Sequence, residues 1–204
     1  MRREFIEALR SNQEEFGVRL DENVIDRLAD YYQLVDDANA LLHLVAPCKP
    51  EEFATRHILE SLTLLKHLPA GSQFADIGPG AGLPSIPCLI ARDDLTAVLI
   101  ESKEKKSRFL EGVSSNLFAS GRLEVINHQF EEVRNRDFPV ITCRALDKFA
   151  EKLPRLVKWA KGAKLLLFGG NALREPLDEL GVKYEDEIMP FSEQRYLFVS
   201  KTRT

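Results

Sequence analysis

The chain is 204 residues long and 44% hydrophobic, enough to bury a full core in one domain with a small extension. Its 28 Lys and Arg against 32 Asp and Glu give a formal net charge of −4, so no global basic field points to nucleic acid, and only a local patch stays open. The three cysteines, Cys48, Cys88 and Cys143, lack disulfide or metal-ligand spacing and read as free thiols in a reducing compartment, Cys88 and Cys143 as buried apolar residues.

Met1-Arg2-Arg3-Glu4-Phe5 opens a mixed-charge helix rather than an apolar signal segment, and no apolar run reaches membrane-spanning length. A cytoplasmic protein with no membrane contact and no bound metal is expected, with a monomer the favoured state. Residues 2–11 form a short amphipathic helix. Leu20, Val24, Ile25, Leu28, Tyr31, Tyr32 and Val35 recur at helical spacing, with Asp21 as N-cap and Glu22 in the first turn. Ala46-Pro47-Cys48-Lys49-Pro50 breaks the pattern. A third helix starts with Pro50 at its first position and runs to about His67, its apolar face made by Phe53, Ile58, Leu59, Leu62 and Leu65. Residues 1–70 therefore read as a helical extension and 71–204 as the main domain.

From residue 72 the pattern becomes strand–helix alternation, which predicts an α/β fold with a parallel sheet and right-handed crossovers. The strands are 72–77, 96–101, 122–127, 139–144 and 163–168, with helices near 83–92, 103–119, 147–161 and 172–180. Two last strands, about 182–190 and 194–200, are joined only by Pro190-Phe191-Ser192-Glu193. A link that short cannot cross over a sheet, so this pair is antiparallel. Ligands in doubly wound sheets sit at the carboxyl ends of the strands, near the switch point.

The organising stretch is Phe74-Ala75-Asp76-Ile77-Gly78-Pro79-Gly80-Ala81-Gly82-Leu83-Pro84, a buried strand end, an acid and a glycine-rich turn opening a helix. The dinucleotide fingerprint fails because its third glycine falls on Leu83, and the phosphate-loop pattern fails for want of a lysine. What stands is D-x-G-x-G-x-G, which resembles the motif of class I S-adenosylmethionine (SAM) methyltransferases. A carboxylate here suits the cationic amino-acid end of SAM and would repel a pyrophosphate. A glycine turn without a ligand is the competing reading.

Glu101, closing the second strand, is placed to accept both ribose hydroxyls, or else caps the next helix. In His128-Gln129-Phe130-Glu131-Glu132, Phe130 suits an adenine ring and Glu131 its polar edge; the plain alternative is core and surface. Arg144 ends the fourth strand beside any substrate, as a grip on phosphate or carboxylate or as an ion-pair partner of Asp147 or Asp76. His57 reads as an ordinary helix residue, and Leu156 and Trp159 as core. Candidate nucleic-acid contacts are Lys103, Lys105, Lys106, Arg108, Arg134, Arg136, Lys201 and Arg203, which equally fit solvated faces.

Taken together, these residues resemble the glucose-inhibited division protein B (GidB, RsmG) family of bacterial small-subunit rRNA guanine-N7 methyltransferases. The resemblance rests on Arg56-His57-Ile58-Leu59-Glu60-Ser61, the run from Asp76 to Pro87, Glu101-Ser102, Lys106, Arg108-Phe109-Leu110, Glu131-Glu132, Arg144-Ala145 and Gln194-Arg195-Tyr196-Leu197. It implies a Rossmann-like sheet of five parallel strands plus an antiparallel C-terminal pair, with SAM as cofactor and 16S rRNA or the small subunit as partner. It also implies SAM contacts at Gly78, Leu83, Phe130, Glu131 and Arg144, which join Asp76, Gly80 and Glu101, with Arg144 as the catalytic candidate. The chain departs from the family pattern at Ala38-Asn39, His43-Leu44-Val45, Gln129 and Gly169-Gly170. A class I methyltransferase for a small molecule or protein, and a non-catalytic SAM-binding ribosome-associated protein, are the alternative readings.

Overall fold

The computed structural model describes residues 1–134, 136–144 and 149–201. Helix α1 is Arg2–Asn12, followed by a 3-10 turn at Gln13–Phe16, and α2 is Glu22–Leu42. Asp21 starts α2 as its N-cap, its carboxylate accepting from the Val24 N–H at 2.8 Å. Pro50 opens the third helical run, α3, spanning 50–67. This run is not the uniform helix that its apolar spacing predicts. It widens to a π-helix over Phe53–Leu59, returns to α at Glu60–Leu62 and tightens to 3-10 over Thr63–His67.

Seven strands follow: β1 Gln73–Ile77, β2 Thr96–Ile100, β3 Leu123–Ile126, β4 Val140–Arg144, β5 Lys164–Gly169, β6 Tyr184–Ile188 and β7 Tyr196–Ser200. The helices among them are α4 Ser85–Ala91, α5 Glu104–Leu117, α6 Phe149–Ala160 and α7 Arg174–Glu179. Their order in the single sheet is β3-β2-β1-β4-β5-β7-β6. The first five pair in parallel, and β7 pairs antiparallel with both β5 and β6, as the short link requires. The order reverses between β1 and β4, which leaves a crevice at the carboxyl ends of those two strands.

Alternation along the strands divides the core in two. Phe74, Leu99, Val140 and Leu166 face α1 to α5, in one cluster with Phe5, Leu28 and Leu59. Ala75, Ile77, Val98, Ile141 and Leu167 face α6 and α7, with Leu153 and Leu156. The helices before the sheet thus share one buried cluster with it. Cys88 and Cys143 are buried, as their surroundings predict. Trp159 is half-buried rather than core, because its indole N–H reaches the Val133 carbonyl at 2.8 Å. Among the described residues no helix is long and apolar enough to cross a membrane, and no His, Cys, Asp and Glu gather in metal-binding number.

Candidate active site

The glycine turn leaves β1 with Gly78, Gly80 and Gly82 at φ of 66°, 59° and 102°, the left-handed region where side chains are strained. Gly82 is required twice over, since a Cβ there would run into the Ile86 side chain. The turn is held from three sides. The Gly78 N–H donates to the Ile100 carbonyl at 2.9 Å, the Gly80 N–H to the Glu101 carboxylate at 3.1 Å, and the Tyr31 hydroxyl to the Ala81 carbonyl at 3.0 Å. Helix α2 therefore supports the turn through a fully buried phenol, a contact that the periodicity of α2 shows only as an apolar face.

A cleft of about 340 Å³ opens beside this turn, within the usual range for ligand sites. Gly78, Pro79, Gly80, Ala81 and Leu83 form one wall, Glu101 to Lys103 and Lys106 the second, and Arg144 and His57 the third. The loop at Leu44–Ala46 and Lys152 of α6 complete it. Asn39 fixes that loop by pairing both ways with the Val45 backbone, at 3.0 and 3.1 Å, while His43 turns the chain at φ 48°. Glu101 is nearly buried and also accepts from the Lys103 N–H at 2.8 Å, so one carboxylate joins the glycine turn to the start of α5.

Asp76 stands under the turn rather than on the cleft wall. Its place in β1 turns the carboxylate toward α4, where one oxygen accepts from the Ser85 hydroxyl at 2.6 Å. The other oxygen is buried with no hydrogen-bond partner among the described residues. Burial pushes the carboxyl up to about 8, against the pull of the Ser85 hydrogen bonds.

Arg144 ends β4 with 13% of its side chain exposed. Among the described residues its carboxylate partner is Glu60 of α3, at 2.9 Å, and not Asp76; Asp147, the other partner expected, lies outside the described residues, as does Ala145. Arg144 also donates to the Ser61 hydroxyl at 3.2 Å and to the Arg56 carbonyl. That carbonyl lies in the π stretch of α3, and the Ser61 hydroxyl donates to the next one, at His57. Burial lowers the Arg144 guanidinium, and Glu60 holds it up. Glu60 in turn accepts from Arg195 at 2.8 Å.

His57 lines the cleft, contrary to its reading as an ordinary helix residue. Its Nδ1 is buried without a hydrogen-bond partner among the described residues. Burial first, then Arg144, Arg56 and Arg195, pull its pKa down to about 3, so the imidazole is neutral. Glu60 has no site role in the sequence reading. Its signals are its place in the Arg56–Ser61 run that carries the resemblance and its position seven residues after Phe53, an acid on an apolar helix face.

Phe130 and Glu131 lie beyond the cleft, after β3. Phe130 is buried edge-on against Trp159, with ring centres 6.0 Å apart, and Glu131 pairs with Arg155 at 3.3 Å. Of the basic candidates, Lys103 and Lys106 line the cleft. Arg108 pairs with Glu104, Arg136 with Glu124 and Lys201 with Glu185, while Arg203 lies outside the described residues.

A family model described as rRNA small subunit methyltransferase G (GidB) matches residues 24–197. The chain is 36% identical over 171 residues to Ribosomal RNA small subunit methyltransferase G of Sorangium cellulosum, covering 80% of this chain and 71% of that protein. The protein of the same name from Halorhodospira halophila is 34% identical over 174 residues, with 84% and 82% covered. That of Caldanaerobacter subterraneus is 30% identical over 210 residues, with 95% and 87% covered. Among solved structures, mitomycin 7-O-methyltransferase superposes with a TM-score of 0.60 at 14% identity, covering 84% of this chain and 60% of that one. Precorrin-6y C5,15-methyltransferase of Geobacter metallireducens gives 0.55 at 14% identity, with 71% and 88% covered. Identities so low speak to the fold alone. The family match runs from α2 into β7, and on that extent the chain belongs to the rRNA small subunit methyltransferase G family.

Proposed function

We propose that the protein transfers a methyl group from SAM to N7 of a guanine in 16S rRNA, as a cytoplasmic monomer acting on the small ribosomal subunit or its RNA. The observation that carries this reading is the cleft itself. A left-handed glycine turn, a nearly buried acid at the end of β2 and a buried arginine at the end of β4 meet around one space, in a chain of this family.

That residue set fits SAM. Gly78, Gly80 and Leu83 offer backbone and an apolar side chain at close approach, and Glu101 offers a carboxylate to ribose hydroxyls. Asp76, whose second oxygen is buried without a hydrogen-bond partner among the described residues, is assigned the cationic amino-acid end, whose charge would draw the carboxyl into its ionised form. Phe130 and Glu131, after the strand that neighbours β2, are assigned the adenine end. Residues 1–70 serve as a helical extension of the methyltransferase domain at 71–204, supplying Tyr31 below the turn and His57 at its rim.

Bound SAM supplies an electrophilic methyl: the guanine N7 lone pair makes the new C–N bond, the C–S electron pair leaves with sulfur, and no proton has to be removed. The protein's task is then placement, which can supply most of the acceleration. Arg144, clamped by Glu60 and the Arg56 carbonyl, is a fixed cation for orienting SAM or the target nucleotide. The test is methyl transfer from labelled SAM to purified small subunits and to their stripped RNA, with Glu101→Gln alongside. Label released as N7-methylguanine and lost in the variant supports the assignment; SAM binding with no label in either substrate sinks it.

A further inference from the structure

We infer that a second cavity, across His57 and Arg144 from the glycine turn, is the acceptor pocket and takes a single purine nucleotide with its phosphate. The inference deepens the methyl-transfer reading and rests on it.

This cavity measures about 490 Å³ and lies between α3 and the carboxyl ends of β4 and β5. His57 and Arg144 line both spaces, so the cavity adjoins the SAM cleft at those two side chains. Its walls carry the rings of Phe149, Phe168 and Tyr196. Aromatic faces of this kind stack on an unpaired base and tolerate its edge chemistry. The Arg144 guanidinium already lies over the Phe168 ring, 5.1 Å from its centre.

The charges favour a phosphate. Arg56, Arg144 and Arg195 converge on the cavity, where Glu60 is the one carboxylate among its lining residues, and Arg56 is also paired with Glu52 just outside it. Both Glu60 oxygens are occupied, at 2.9 Å from Arg144 and 2.8 Å from Arg195, which fixes where the guanidinium groups point. Glu60 is thus a positioning residue for the pocket. His57 adds no charge, because it is neutral. That neutrality matters for a guanine that becomes cationic once N7 carries a methyl group.

The experiment titrates the full chain with guanosine 5′-monophosphate and with cytidine 5′-monophosphate, with and without saturating SAM, by ligand-observed NMR. Transfer to small subunits is measured in parallel. The purine nucleotide should bind more tightly than the pyrimidine and alongside SAM. Arg195→Gln and Tyr196→Leu should each weaken it about tenfold and raise the KM for subunits with the SAM Kd unmoved, and Arg195→Gln should also lower the melting temperature because it takes one partner from Glu60. Purine binding that is absent, that SAM abolishes, or that both variants leave intact overturns the pocket. If the purine binds as described but the wild type labels no subunits, the pocket stands as a nucleotide site and the rRNA reading fails. Robust subunit labelling with unchanged kcat/KM in both variants does the reverse.

Discussion

Glu60 and Arg144, 84 positions apart in the chain, meet at 2.9 Å with 2% and 13% of their side chains exposed. Arg195 takes the other Glu60 oxygen at 2.8 Å, so a single carboxylate ties α3 to β4 and to the entry of β7. Removing one member of a buried pair strands the others without compensation, at a cost of about 3–5 kcal/mol. Glu60→Gln keeps the shape and one acceptor, which places it near about 3 kcal/mol in urea unfolding. A loss under about 1 kcal/mol would show the bridge to be a surface-like contact.

Gly82 leads to a second prediction. Its φ of 102° is unfavourable for any L side chain, and a Cβ would meet Ile86. Gly82→Ala should therefore destabilise by about 2 kcal/mol or more and weaken SAM binding. Adding Ile86→Ala should relieve the collision but leave the backbone strain, so the double variant should recover part of the loss. Full recovery would mean that the backbone there is not strained.

The strands, the antiparallel pair and the glycine turn were legible because each rests on local rules: apolar runs, a link too short to cross over, and glycine at left-handed φ. Asp21 as N-cap was legible for the same reason. The site was less so, because its geometry is made by partners distant in sequence. The π widening at Phe53–Leu59 goes with a carbonyl capped by Arg144, 88 positions on, and nothing in the helix's own spacing announces it. Asp76 is visibly the acid of the motif, but which way its carboxylate turns depends on how α4 packs on the sheet. Phe130 likewise reads as a ring for a ligand, and the ring it meets is Trp159. Gly169, where the chain departs from its family pattern, has the Leu173 side chain packed where a Cβ would stand.

Asp76 gives a pH dependence. Its folded pKa of about 8 lies above the ordinary 3.8, so across that interval the folded protein holds a proton that the unfolded chain has released. Stability from this group therefore falls as pH rises from about 4 to about 8 and is flat above. Asp76→Asn removes the titration. The difference in unfolding free energy, wild type minus variant, should decline across that window; a constant difference would mean that the carboxylate is ionised when folded.

His57 titrates with the opposite slope. Its folded pKa of about 3 lies below the ordinary 6.5, so between those values the unfolded chain takes up the proton first. Its contribution falls as pH drops below 6.5 and levels near 3. His57→Gln should lessen the acid sensitivity of the fold relative to wild type, measured by urea midpoints at pH 7 and 5. Equal shifts in the two proteins would place the imidazole in water.

Tyr31 connects the helices before the sheet to the chemistry. Its hydroxyl is buried and donates to the Ala81 carbonyl at 3.0 Å, inside the glycine turn. Tyr31→Phe leaves that carbonyl buried without its donor, at a cost of about 1–3 kcal/mol. The ring's packing is kept, so the variant should fold, and the loss should fall on the turn. SAM affinity should drop several-fold in calorimetry while urea unfolding moves by the amount above. If stability falls with SAM affinity unchanged, α2 is a general prop of the core. If both fall together, the helices at the amino terminus are part of how the turn is held open for its ligand.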